Sequence, residues 1–322
     1  MKTDPYGPTT ASLPLRTKSQ TLRSAIQSEE LAFLMEAHDA LSALIVERNG
    51  FSGIWASGLS ISTALGLRDA NEASWSQVVD VVERMADSTS IPILVDGDSG
   101  FGNFNNVRLL VRKLSHRGAA GICLEDKQFP KMNSFVGDRH PLAGVEEFCG
   151  RLRAARDSAG DDDFVVVARI EALIAGHGLQ EALDRAHRYG DAGADAILIH
   201  SRLSDASEIL GFVEAWDNKR PVVIVPTTYY RTPMQRFRSA GVSAVIWGNH
   251  NMRAAAAAMQ LLCERVRRDE SVADVEGEIA TLKEIFELLD YAELSSAERT
   301  YLPIHPEQDV TEALPLRAGA AD

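Results

Sequence analysis

One pattern restricts the fold of this chain more than any other. Eight short apolar runs each end in polar or small residues, and a stretch with helical spacing follows each of them. The runs are Phe33–His38, Gly53–Gly58, Ile91–Asp98, Ala120–Lys127, Phe164–Glu171, Ala194–Ser201, Pro221–Thr227 and Ala244–His250. Apolar strands alternating with helices make a parallel sheet, because a crossover helix is what returns the chain to begin a parallel neighbour. Eight such units predict an α/β chain closed as a (β/α)8 TIM barrel. Position supports closure: polar residues gather at the C-terminal end of nearly every run, which is the active-site face of such a barrel. An open doubly wound sheet would concentrate its site at a single switch point.

Three of the intervening stretches have clear helical faces. Val107, Leu110, Val111 and Leu114 form one, Leu179, Ala182, Leu183 and Ala186 another, and Ala254–Val266 is alanine-rich throughout. The turns Arg117-Gly118-Ala119, Asp191-Ala192-Gly193-Ala194 and Ala240-Gly241-Val242 read as helix stops ahead of buried strands. Residues 1–20, rich in Thr, Ser and Pro, predict a flexible leader. A helix opens near Thr21, with Leu22, Ile26, Leu31 and Leu34 as its apolar positions. A single barrel domain then covers residues 21–302. Residues 251–291 hold more helix than eight units need, and an amphipathic surplus must bury its face, so these helices predict a cap or an exchange between subunits. Residues 303–322, with Pro303, Pro306 and Pro315, read as a loose tail. Neither an internal repeat nor an interdomain linker is visible.

Composition narrows the partners. The 322 residues are 45% hydrophobic, enough for a sizeable core, and carry a formal net charge of −13 with no long basic run. Nucleic acid and anionic membranes are therefore poor partners, although a local cationic pocket for a small anion is compatible with that balance. Cys123, Cys149 and Cys263 are odd in number and far apart, with neither metal spacing nor a disulfide framework, which fits a reducing cytoplasm. No stretch has the length of a membrane span, and the N-terminus lacks a signal-peptide apolar region.

The third run drives straight into Asp96-Gly97-Asp98-Ser99-Gly100-Phe101-Gly102-Asn103. Two carboxylates this close repel, and a bound cation is the usual compensation. If the strand ends converge, Glu125 joins them, and Asp69 sits in the loop after the second run. Four carboxylates with no paired His or Cys make a hard-oxygen site suited to Mg2+ or Mn2+ rather than zinc. Arg169, Lys131 and His200 are the cationic groups of the same mouth. Arg169 ends an apolar strand and can fork an oxyanion, or simply pair with Glu171. The Ser57-Gly58-Leu59 turn offers backbone N–H groups to an oxyanion. Trp55 reads as core or contact. The polar stretch from Glu125 to Ser134, continued by Gly137-Asp138-Arg139, is a candidate lid.

As an ordered set these motifs resemble the phosphoenolpyruvate mutase / isocitrate lyase superfamily, over about residues 21–302. The stretches that carry the resemblance are Gly53–Ser60, Arg68–Glu72, Asp96–Asn106, Glu125–Ser134, Val167–Ala172, Ile199–Ser201, Val225–Thr227 and Trp247–His250. Gly97 stands where Ala is common, and Ala56 where Gly is common. The resemblance implies a barrel with its last helix exchanged in a homotetramer, a dimer of dimers. It implies Asp96 as direct ligand of Mg2+, with Asp98, Glu125 and Asp69 acting largely through waters. It places pyruvyl oxygens near the ion, Trp55 and the Ser57-Gly58-Leu59 backbone, and phosphoryl oxygens near Arg169, His200, Asn133 and Ser134, with Lys131 on the gating loop. Lyases of the superfamily carry a catalytic cysteine in that loop. Here the loop reads Pro130-Lys131-Met132-Asn133-Ser134, which argues against carbon–carbon cleavage. The implied activity is interconversion of phosphoenolpyruvate and 3-phosphonopyruvate. The rival is phosphonopyruvate hydrolysis, whose loop carries Thr in place of Asn133. A catalytically silent barrel is the third reading, disfavoured by the intact charged residues. Whether Asp69 acts as a nucleophile or only holds the metal's water stays open.

Overall fold

The structure, a computed structural model, describes residues 16–136 and 141–302. The proposed leader, apart from its last residues, the proposed tail and Gly137-Asp138-Arg139 lie outside the described residues. All eight runs are strands: β1 (Ala32–Ala37), β2 (Gly53–Ala56), β3 (Ile93–Asp96), β4 (Gly121–Glu125), β5 (Val165–Ile170), β6 (Ala196–Ile199), β7 (Val222–Ile224) and β8 (Ala244–Trp247). They pair in parallel in sequence order, and β8 closes on β1 with Ala244 opposite Ala32. The helices are α1 (Lys18–Gln27), α2 (Ala40–Arg48), α3 (Gly58–Ala64), α4 (Trp75–Ser88), α5 (Phe104–His116) and α6 (Val145–Ser158). They continue as α7 (Gly178–Asp191), α8 (Ser207–Trp216), α9 (Met234–Ala240), α10 (His250–Asp269), α11 (Leu282–Leu288) and α12 (Tyr291–Tyr301).

The strands read as unbroken apolar runs because both of their faces are buried. Leu34, Trp55, Leu94, Cys123, Val165, Val167, Leu198, Val223 and Ile246 fill the barrel interior. The alternate residues, among them Ile54, Val95, Ile122, Val166, Ile197, Ile224 and Val245, pack outward against the helices. This two-residue alternation positions the site. Carried past the strand ends, the inward series are Leu94-Asp96-Asp98, Cys123-Glu125-Lys127, Val167-Arg169-Glu171 and Leu198-His200.

The expected face of α5 is buried as read. On α7 the buried stripe is Ala182, Arg185, Ala186 and Tyr189. Leu179, expected on it, is 40% exposed because it lies in the first turn, before the stripe begins. The first helix also differs from expectation. It opens at Lys18 rather than near Thr21, because Thr17 and Gln20 form a reciprocal cap. It closes at Gln27, so Leu31 lies beyond it and Leu34 belongs to β1. Leu22 and Ile26 of α1 join the interior cluster, together with Ala32, Ala120, Val165, Ala196 and Ala244 at the strands' N-terminal ends. Helix α1 thus plugs the floor of the barrel. The turns after α5, α7 and α9 are helix stops as expected, and Gly241 has φ +82°, a left-handed value that suits glycine.

The described residues divide into two compact units after Leu261, a point inside α10. In the second unit Thr281 and Glu284 cap α11 reciprocally, and the Phe286 and Tyr291 rings lie 4.8 Å apart. Neither α11 nor α12 buries a residue; Leu282 is 73% and Tyr301 83% exposed.

Candidate active site

Two charged halves face each other across the C-terminal mouth of the barrel. The acidic half grows from β3. Asp96 is the last inward residue of the strand. Its Oδ2 accepts from Gly58 N at 3.2 Å and its Oδ1 from Asp98 N at 3.3 Å. The chain then turns sharply: Gly97 N donates to Cys123 O at 2.8 Å, and Asp98 takes φ +48°. Glu125 N donates to Asp98 O at 2.8 Å, which locks the β3 turn to β4. A side chain at Gly58 would place its Cβ 3.2 Å from both Asp96 Oδ2 and Asp98 Oδ1, so the two carboxylates would have to give way by a few tenths of an ångström.

Asp69 comes from the loop after α3, and the lid reaches across to it. Lys131 Nζ lies 2.8 Å from Asp69 Oδ1 and 2.5 Å from Asp98 Oδ1, and Asn133 Nδ2 donates to Asp69 Oδ2 at 2.5 Å. Asn71 fixes the lid backbone. Its Oδ1 accepts from Lys131 N at 2.6 Å, and its Nδ2 donates to Asp98 Oδ2 at 2.7 Å. Burial acts to raise the Asp69 carboxyl, but Lys131 and Asn133 hold it below its ordinary value. Asp98 is pushed up to about 7 by burial, and by Asp96, Asp69 and Glu125, in spite of Lys131. Buried Lys131 is nonetheless held well above the ordinary lysine value by Asp98, Glu125, Asp69 and Asp96. Positive charge is thus short in this half, and Glu125 Oε1 is buried with no hydrogen-bond partner among the described residues.

The cationic half is built on Glu171, which is fully buried. Its Oε1 accepts from Arg169 Nε at 2.5 Å and pairs with His200 Nδ1 at 2.8 Å. Its Oε2 accepts from Ser134 Oγ at 2.8 Å and lies 3.3 Å from Lys127 Nζ. Burial acts against its charge, yet Arg169, His200 and Lys127 hold the carboxyl well below the usual range. The Arg169–Glu171 pair is therefore formed. The guanidinium also extends Nη2 to Ser134 Oγ at 3.2 Å and His200 Nδ1 at 2.9 Å. Burial lowers the His200 pKa, with Glu171 opposing, so the imidazole is neutral near pH 7. Its Nδ1 serves Arg169 as acceptor or Glu171 as donor, one at a time. With Nδ1 accepting, Nε2–H is a donor. Behind Glu171, its N–H donates to Asp126 Oδ1 at 2.8 Å, and Asp126 Oδ2 accepts from Arg185 at 3.0 Å and Tyr189 at 2.9 Å.

A cleft lies between the halves. Every residue expected at the site lines it except Gly58 and Asp98, which stand directly behind Asp96. The Ser57-Gly58-Leu59 turn is less open than expected. Ser57 N donates to Ala37 O and Gly58 N to Asp96, whereas no described residue accepts from Leu59 N. Lys127, Phe135, Val225, Thr227, Gly248 and Asn249 complete the lining, and Asn71 and Glu171 support it from behind. Inward alternation past the ends of β4 and β5 was the signal that could have found Lys127 and Glu171.

The donor set suits a hard divalent cation. Among the described residues no three His, Cys, Asp or Glu side chains converge closely enough to form a protein-only cage. An ion that keeps several waters, as Mg2+ does, needs no such cage. The orphaned Glu125 oxygen and the strained charge of Asp98 both point into this half.

Comparison with known proteins places this architecture. A family described as phosphoenolpyruvate phosphomutase matches residues 22–267. The phosphoenolpyruvate phosphomutase of Tetrahymena pyriformis is 55% identical over 286 residues, 88% of this chain and 95% of the relative. The crystal structure of phosphoenolpyruvate phosphomutase from Streptomyces platensis subsp. rosaceus superposes with a TM-score of 0.87 at 40% identity, covering 88% of this chain and 99% of that one. A phosphonopyruvate hydrolase solved in complex with oxalate and Mg++ superposes with a TM-score of 0.85 at 42% identity, covering 89% of this chain and 100% of that one. With its acidic and cationic halves held on a closed barrel, this chain belongs to the phosphoenolpyruvate phosphomutase family.

Proposed function

We propose that the chain interconverts phosphoenolpyruvate and 3-phosphonopyruvate in a Mg2+-dependent reaction, with Mn2+ able to replace Mg2+. One observation carries the reading: a carboxylate half short of positive charge faces a half that presents Arg169 and neutral His200, under a lid without cysteine. The relatives named as phosphomutases support it. Asp96, Asp98, Glu125 and Asp69 would hold the ion, largely through waters. The bound ion would polarise the pyruvyl oxygens and offset the charge of the enolate.

The chain's own residues do the rest. Trp55, the Ser57 hydroxyl and Leu59 N–H orient the pyruvyl group beside Asp96, while Gly58 keeps the turn close. Arg169, His200 through Nε2–H, and Asn133 hold the phosphoryl oxygens, and Ser134 fixes Arg169. The P–C bond breaks with its electron pair left on the pyruvyl carbon. The P–O bond then forms from the enolate oxygen, so no atom is gained or lost. Asp69 has one oxygen on Lys131 and the other on Asn133, which suits positioning rather than attack on phosphorus.

Phosphonopyruvate hydrolysis is the second reading, because a hydrolase is among the similar structures. Phosphorus NMR of the purified chain with Mg2+ and phosphonopyruvate decides between them. Phosphoenolpyruvate as product supports the mutase; phosphate with pyruvate refutes it. Exposed Leu282, Tyr301 and Leu302 favour helix exchange in a cytoplasmic homotetramer, and the unpaired Cys123, Cys149 and Cys263 fit that compartment. No helix of the described residues is long and apolar enough to cross a membrane.

A further inference from the structure

We propose that Lys127 is the positioning residue that ties the lid to the barrel and so governs whether the transferring phosphoryl group returns to the enolate or is lost to water. This rests on the mutase reading. Lys127 follows the inward series of β4 and is 2% exposed. An ammonium has three protons, and this one meets three acceptors within 3.3 Å, with Glu125 Oε2 beyond them at 3.7 Å. Met132 O lies at 3.1 Å and Ser134 Oγ at 2.5 Å, both on the lid, and Glu171 Oε2 lies at 3.3 Å on the barrel. One side chain therefore joins the lid's backbone, the lid's hydroxyl and the buried anchor of Arg169 and His200.

Beside this tie the Ser134 hydroxyl donates to Glu171 and accepts from Arg169, and Lys131 N donates to Asn71; the remaining side-chain ties of the lid are of a different kind. Lys131 and Asn133 bind Asp69 and Asp98, carboxylates proposed to serve the ion, so those contacts compete with metal. The Lys127 tie runs chiefly through Glu171, which serves Arg169 and His200 rather than the ion, although Glu125 Oε2 of the acidic half also lies 3.7 Å from its Nζ. Apolar packing does not replace it. Met132 is 46% and Val136 55% exposed, and Phe135, which meets the His200 ring edge-on at 5.7 Å, is itself 46% exposed. Over its described residues the lid buries little apolar surface, so its polar ties hold it.

If the lid lifts during transfer, water can take the phosphoryl group. The P–C bond breaks as before, but a water oxygen bonds phosphorus and releases a proton. The enolate carbon takes up a proton, and the products are phosphate and pyruvate. Lys127→Met keeps the length and burial of the side chain and removes both hydrogen bonds to the lid and the ion pair with Glu171. The test is the ratio of phosphate to phosphoenolpyruvate formed from phosphonopyruvate with Mg2+, read by phosphorus NMR. Loss of charge-assisted hydrogen bonds predicts a rise of about ten- to a hundredfold in that ratio. The ratio does not depend on how much protein is folded, so a merely structural role would leave it unchanged. Lys127→Gln serves if the methionine variant does not fold. An unchanged ratio in a variant, beside wild type that makes phosphoenolpyruvate, overturns the role of Lys127 alone. Wild type that makes only phosphate and pyruvate overturns the mutase reading, and the inference with it.

Discussion

Glu171→Gln is the sharpest probe of the cationic half. The amide has the shape of the carboxylate, so no cavity opens and the effect is one of charge and hydrogen bonding. Glu171 takes Arg169 and His200 on one oxygen, and Ser134 and Lys127 on the other. A glutamine can place its oxygen on one side only. Its NH2 then faces either the Arg169 Nε–H or the Lys127 ammonium, and one buried cation loses its nearest carboxylate, keeping the more distant Glu125 Oε2, 3.6 Å from Arg169 Nε and 3.7 Å from Lys127 Nζ. Breaking one side of a buried ion pair costs about 3–5 kcal/mol. Urea unfolding at neutral pH, followed by circular dichroism, measures the difference. The sign with pH is also determined. Burial opposes the charge of Glu171, but its cationic neighbours hold the folded pKa well below the ordinary value. Its contribution is therefore complete above the unfolded glutamate pKa of about 4.3, and is lost as pH falls from there through the folded value. The gap between wild type and variant should be flat across neutral pH and shrink in acid. A neutral-pH loss under about 1 kcal/mol, the worth of an exposed pair, would refute the account of Glu171 as the anchor of this half.

Two other perturbations report on the rest of the mouth. Asp96→Ala should leave the circular dichroism spectrum intact while lowering Mg2+-dependent turnover by ~100-fold or more and weakening Mn2+ binding in calorimetric titration; retained binding would remove Asp96 from the ion site. His38 hydrogen-bonds Glu36, which is fully buried and also accepts from Met252 N at the start of α10. The bond to Glu36 raises the His38 pKa above 6.5, against the effect of burial. Its contribution is thus complete below about 6.5 and lost as pH rises through the folded value. His38→Gln should therefore lower the melting temperature more at mildly acidic pH than at alkaline pH, and an equal drop at both would contradict the assignment.

The eight strands were legible because each is a continuous apolar run with both faces buried, a pattern that few other folds impose. Helix ends were less so. The Thr17–Gln20 cap starts α1 ahead of its first apolar residue, and hydropathy carries no trace of a hydrogen bond. In the site, the ends of β3, β5 and β6 announced Asp96, Arg169 and His200 through their position. Lys127 and Glu171 obey the same alternation, but a lysine and a glutamate beyond a strand look like any solvated loop. Asn71 was illegible as a support. Its partners Lys131 and Asp98 are distant in sequence, and closure of the barrel with its lid is what brings them to it.

The plugged floor has a bearing on traffic. With the interior filled by side chains and Leu22 and Ile26 of α1 seated beneath them, the described residues leave the cleft at the C-terminal mouth as the way to the site. Under the proposed lid role of residues 131–136, entry and exit use the same door. Product must leave before the next substrate arrives, each turnover takes one opening and one closing, and a ligand that keeps the segment shut blocks both directions of the reaction to the same degree.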